Sequence, residues 1–233
     1  MAPSRPTPAD DAELVEDPEL LAEEREALAL DPAEPTPELR AGGAPKGLAL
    51  LLTLGGLAGG WAAVMLLISG RALERDPNAA LACDINPIIG CGSFLLSWQS
   101  AALGVPNALL GTIAFSIVTL VGLALLVGVR LPRWVWRGFT LGTVLGAAAT
   151  VWFQYQALAV IRGLCPYCLV VWVVMPPIFF NVLARAAQAG HLGAPRGLRR
   201  FLVTERHVLT IAWYVVIIGL ITVAFWSQWK LMW

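Results

Sequence analysis

Five stretches of this chain contain no Asp, Glu, Lys or Arg: between Lys46 and Arg71, Asp84 and Arg130, Arg137 and Arg162, Arg162 and Arg185, and Arg206 and Lys230. A helix of about 20 apolar residues crosses the hydrocarbon core of a bilayer, and only a helix or a closed barrel satisfies its own backbone there. Four of the windows fit one crossing each. The Asp84–Arg130 window is longer, but Asn86-Pro87 and Gly104-Val105-Pro106 break its first half. The pattern predicts five spans, near 47–69, 106–128, 137–160, 165–184 and 208–229. Composition agrees: 14% of residues are charged and mean hydropathy is +0.70, whereas a soluble domain is about a quarter charged. The expected fold class is an all-α integral membrane protein.

The net charge of zero conceals a split. Residues 1–46 hold twelve acids and four bases; residues 47–233 hold four acids and twelve bases. The acidic part also carries eight prolines and little apolar surface. It is expected to be a disordered, solubilising cytoplasmic tail, with a short helix over Pro18 to Leu30 as its one candidate element. It lacks the basic start and apolar core of a signal peptide. The remainder divides into a four-span unit over 47–186, a basic cytoplasmic loop over 187–207, and a fifth span with the C-terminus over 208–233.

Between the two breaks lies GCGSFLLSWQSAAL, 14 residues. That is too short to cross, and it predicts an interfacial half-helix with Trp98 at headgroup level. Glycines recur every four residues in span one (Gly55 and Gly59; Gly56 and Gly60) and span three (Gly138, Gly142, Gly146). Such faces let helices approach closely. With a cytoplasmic N-terminus, and counting from Arg40 onward, the inner segments hold ten Lys and Arg residues and the outer segments four, which is the asymmetry of the positive-inside rule.

That orientation puts all four cysteines on the outer side. Cys83 and Cys91 follow span one; Cys165 and Cys168 open span four in the stretch GLCPYCLVVWVV. Outside the cytosol disulfides persist. Pro166 suits a first helical turn, and the positive helix end then stabilises a thiolate, the reactive form in disulfide exchange. Cys165 is expected to be the more exposed of the pair, with Cys168 about one turn deeper. Alone, Cys83 and Cys91 read equally as a structural disulfide bracing a loop. A four-thiolate zinc site is a further reading, but a C-x7-C spacing is looser than zinc sites use, and no metal is expected. Two dithiols on one membrane face suggest a relay.

The segments CDINPIIGC, SFLLSWQ, GVPNALLG and CPYC together resemble the vitamin K epoxide reductase family in its bacterial form, over roughly residues 47–186. The resemblance implies a four-helix bundle holding a membrane quinone (menaquinone or ubiquinone) near its outer end. It implies that Cys168 passes electrons to the quinone, that Cys165 exchanges with Cys91, and that Cys83 meets an outside thioredoxin-like (DsbA-like) protein. Asn107 matches the asparagine near the quinone, Ser97 the loop serine, and Asp84 the residue after the first loop cysteine; Trp172 stands where vertebrate members carry a quinone-side tyrosine. These four are the candidate cofactor contacts. Local readings stand beside them: Asn107 as a helix-start residue, Ser97 as a half-helix hydrogen-bonding residue. With only a basic loop and a fifth span after the bundle, the redox partner is expected to be a separate protein, with no nucleic acid partner. The implied activity is a quinone-dependent thiol oxidase of the cytoplasmic membrane. The alternatives are a vitamin K epoxide reductase proper, or a non-enzymatic membrane protein with structural disulfides or a metal site.

Overall fold

The structure, a computed structural model, describes residues 33–86 and 88–226. Most of the acidic tail, its candidate helix, Pro87, Lys230 and the end of the fifth span lie outside the described residues. Within them, a short helix α1 (Pro37–Arg40) precedes α2 (Lys46–Arg75). A loop carrying α3 (Gly92–Leu95) and a 3-10 turn (Trp98–Ala101) leads to α4 (Asn107–Leu126). Next come α5 (Arg133–Tyr155), continued by a π-helical turn (Gln156–Ile161), and α6 (Pro166–Gln188). The chain closes with α7 (Arg196–Thr204) and α8 (Arg206–Ala224). Among the described residues, α2, α4, α5 with its π turn, α6 and α8 are long and apolar enough to cross a membrane. The five spans are thus present, and the chain is a multi-pass membrane protein. Proline starts several of them, at Pro45, Pro106, Pro132 and Pro166, where its missing N–H costs nothing.

Three sequence expectations need correction. The half-helix is two short pieces, because Ser97 is extended (φ −84°, ψ 151°) and separates α3 from the 3-10 turn. Its hydroxyl donates to the Phe94 carbonyl at 2.6 Å, and the Ser100 hydroxyl donates to the Ser97 carbonyl at 2.8 Å. These local bonds compete with a continuous helix. The basic segment 187–207 contains a helix, α7. The glycine rows also differ in use. In α2, a methyl at Gly56 would meet Thr119 Oγ1 at 2.4 Å and one at Gly59 the Phe115 ring at 2.4 Å. That row seats α2 on α4, as expected. In α5, Gly138 and Gly142 have no atom within 4 Å of an added methyl. Those two face a cavity instead, whereas a methyl at Gly146 would meet Met175 Cε of α6 at 2.9 Å, the close approach expected of the row.

The bundle is therefore asymmetric. Helix α2 packs on α4 along its length and also on α6, and α6 packs on α5. Helices α4 and α5 scarcely touch. The core lies toward the α2 start, where Ala49, Leu52, Trp136, Ile178 and Val182 are buried together. Arg185 closes that end. Its Nη2 and Nε donate to the Gly43 carbonyl at 2.8 and 3.3 Å, and its guanidinium stacks 3.4 Å above the Trp136 ring. Trp136 Nε1 and the Leu131 N–H both donate to the Gly42 carbonyl, at 2.9 and 3.0 Å. Residues 41–45 are thereby tied to the bundle.

Helix α8 packs on α6 and on the π turn. Pro176 and Pro177 lie inside α6, so the carbonyls four residues earlier lose their helical donors. Tyr214 of α8 donates its hydroxyl to one of them, Val173. Near the start of α6, Ile217 and Phe225 are buried against Trp172, Leu164 and Ala157. The fifth span is thus a buttress for α6.

Gly42 tests the closure. Its φ is +90°, and a methyl there would lie 2.3 Å from the Leu131 carbonyl oxygen. Gly42→Ala is expected to destabilise the protein by about 1–3 kcal/mol. Gly197→Ala, with open space around it, should change stability little. Thermal unfolding of both variants in detergent, measured against wild type, checks the contrast.

Candidate functional site

The four cysteines meet at one end of the bundle. Cys83 and Cys91 form a disulfide, with Cα atoms 5.7 Å apart. Cys165 and Cys168 are free thiols. The Cys91 sulfur lies 3.4 Å from the Cys165 sulfur. At that distance a thiolate on one can attack the other with little movement.

Local sequence explains how the loop reaches this position. The Leu164 N–H donates to the Ile88 carbonyl at 2.8 Å, and the Gly90 N–H donates to the Leu164 carbonyl at 2.9 Å. Leu164 and Gly90 each immediately precede a cysteine, so this pair of bonds sets the two sulfurs side by side. Asp84 Oδ1 accepts from the N–H groups of Cys91 and Gly92 at 2.7 and 3.1 Å. Asn86 Oδ1 accepts from Ile88 and Ile89 at 2.9 and 2.8 Å. Gly90 must be small: a methyl there would lie 2.6 Å from Asp84 Oδ1. The stretch CDINPIIGC is thus a self-braced loop. Asp84 serves the loop backbone and does not line the cavity described below.

The expected exposure of the C-x-x-C pair is reversed. Cys165 is 1% exposed, beneath Cys91, Leu73 and Leu81, while Cys168 is partly exposed. The loop sequence covers Cys165, which a reading of the helix alone does not anticipate. Cys83 is also covered, at 3% exposure.

Cys168 opens onto a cavity of about 1380 Å³, bounded by the facing sides of α4 and α5, by α2 and α6, and by the loop from Phe94 to Leu103. Its wall is mostly apolar, with polar groups that include Cys168, Ser97, Gln99, Asn107 and Thr150 and two charged residues, Arg71 and Glu74. Trp172 and Tyr167 also line it. An apolar wall with few polar groups fits a ring bearing two carbonyls and an apolar tail. The structure brings Ser97, Asn107 and Trp172 together here with Cys168. Asn107 Nδ2 donates to the Gln99 carbonyl; an amide has a second N–H, which leaves a donor for a ligand. Gln99 was missed from the sequence, as was Gln156, which accepts from Gln99 Nε2 at 3.3 Å. The available signal was a glutamine inside a charge-free window. Among the described residues, no three His, Cys, Asp or Glu side chains group as a metal site.

Electrostatics distinguish Cys165. The neighbouring Cys168 thiol is the largest influence and lowers its pKa from the ordinary value; burial opposes this, and the N–H groups of Cys168 and Tyr167 at the helix start lower it further. In protein lacking Cys83 and Cys91, alkylation of Cys165 by a small reagent should therefore have its midpoint below that of an ordinary free thiol. Cys168→Ala should move that midpoint upward. Equal midpoints in the two proteins would remove Cys168 as the cause.

The family model for the vitamin K epoxide reductase family matches residues 50–183, from α2 through α6, a range that contains all four cysteines. No curated protein matches the chain as a relative. The match spans more than half of the chain and the whole of the cysteine site, and the chain belongs to the vitamin K epoxide reductase family.

Proposed function

We propose that this protein is a quinone-dependent thiol oxidase that re-oxidises a separate thioredoxin-like protein outside the cytoplasmic membrane. Membership of the family carries a disulfide-forming, quinone-linked redox function in general. The observation that carries the specific reading is the 3.4 Å contact between Cys91 and Cys165, with Cys168 open to the cavity behind it. A purely structural pair of disulfides has no use for such a contact. The excess of Lys and Arg on the other side of the membrane supports an outward-facing cysteine end.

The exchange steps balance as follows. A thiolate of the reduced partner attacks Cys83 and displaces Cys91; the partner's second thiol then attacks the first. The partner leaves oxidised, and Cys83 and Cys91 are a dithiol. The Cys91 thiolate attacks Cys165 of a Cys165–Cys168 disulfide and expels Cys168 as a thiolate. Cys83 then attacks Cys91, re-forms the loop disulfide and releases Cys165. A lowered pKa makes Cys165 the better leaving group. The resulting state is the arrangement described above: loop pair bonded, Cys165 and Cys168 reduced. A bound quinone supplies an acceptor for two electrons and two protons, becoming the hydroquinone. Cys165 and Cys168 close their disulfide as they give these up, with Cys168 as the thiol on the cavity side. The second N–H of Asn107 would donate to a ring carbonyl, and Ser97 and Trp172 would help to hold the ring in the cavity they line. Cys83 lies beneath Leu73 and Leu81, so partner docking lifts the segment before it.

The test is quinone absorbance with purified protein in detergent and a reduced thioredoxin-like protein. Wild type should reduce quinone, and Cys168→Ala should fall to background while its loop cysteines still trap the partner. Wild-type turnover by Cys168→Ala would refute the assignment. Inactivity of wild type toward quinones, with activity on an epoxide under a small-molecule thiol, would favour the epoxide reductase reading.

A further inference from the structure

Gln99 is the least expected residue in the cavity wall. Its side chain is 4% exposed, yet its Oε1 is buried without a hydrogen-bond partner. Such an atom is costly in apolar surroundings, and a native structure that keeps one needs a reason for it. The side chain is also held in place. Nε2 donates to Gln156 Oε1 at 3.3 Å, and the backbone carbonyl of Gln99 accepts from Asn107. Gln156 is itself 9% exposed and is the first residue of the π turn that ends α5. Single π turns recur at functional sites. Two glutamines from separate elements thus fix one amide, and the end left over is an acceptor.

Reduction of a quinone changes what its oxygens need. A carbonyl accepts a hydrogen bond; the hydroxyl that replaces it donates one. Asn107 offers a donor and suits the carbonyl form. Gln99 Oε1 offers only lone pairs and suits the hydroxyl form. We propose that Gln99 is a binding residue for the reduced ring, accepting the hydroxyl hydrogen of the hydroquinone, and that Gln156 is the positioning residue that holds the Gln99 amide in the cavity wall. This inference rests on the quinone-reducing reading above. It assigns the site a preference for its product over its substrate at one oxygen, which favours the direction of reduction within the complex and slows release.

The experiment measures binding of a short-chain quinone and of its hydroquinone separately, under anaerobic conditions, by quenching of tryptophan fluorescence. Cys168→Ala serves as the parent so that no turnover intervenes. Gln99→Met, of similar length and without polar atoms, should weaken hydroquinone binding about tenfold, the scale of one buried hydrogen bond, and leave quinone binding within about twofold. Gln156→Met leaves Gln99 in place but unheld, and should shift the same ratio in the same direction by less. The constant for product inhibition by hydroquinone in the Cys168-containing enzyme should rise in parallel. An unchanged ratio of the two affinities in both variants would overturn the proposal, including the case where both forms weaken equally. Binding of neither form by the parent would sink the quinone reading itself, and this inference with it.

Discussion

Two backbone hydrogen bonds, from Leu164 to Ile88 and from Gly90 to Leu164, join the loop after the first span to the entrance of α6. The rest of the site depends on that junction. Each strand of it ends in a cysteine, so the bonds convert a separation of 74 residues into a sulfur contact of 3.4 Å. The loop sequence exists to make the junction rigid. Asp84 and Asn86 satisfy the N–H groups that the junction leaves over, and Gly90 lets the Asp84 carboxylate approach. Cover over Cys165 follows directly, since whatever touches its sulfur also shields it.

The cavity has a different physical origin. It arises because α2 sits tightly on α4, while α5 is held by α6 and does not close on α4. Glycines act with opposite sense in the two places. Gly56 and Gly59 bring backbones together; Gly138 and Gly142 keep a wall thin. Cys168 stands where the cavity meets the cysteine cluster, so one residue belongs to both.

Much of this was legible in the sequence. Charge-free windows gave five spans to within a few residues, because desolvating a charge in hydrocarbon is prohibitive and leaves a plain trace. The four cysteines and the family were legible from CDINPIIGC and CPYC. The burial order of Cys165 and Cys168 was not, because it depends on a loop 74 residues away. Nor was the use of each glycine row, since spacing says that a face is small and not what it faces. The break at Ser97 turned on local hydroxyl bonds, and Gln99 gained meaning only beside Gln156, from another helix.

Pro176 and Pro177 leave α6 short of its own hydrogen bonds, and Tyr214 from α8 makes good one of them. At the other end, Arg185 is satisfied by Gly43. Gly43, Arg185 and Tyr214 all lie outside the residues 50–183 that the family shares. The segment that similarity marks out is therefore smaller than the unit that holds itself together. A piece cut to those limits would keep every cysteine and lose both the Arg185 closure of the helix that Cys165 caps and the hydroxyl that satisfies Val173.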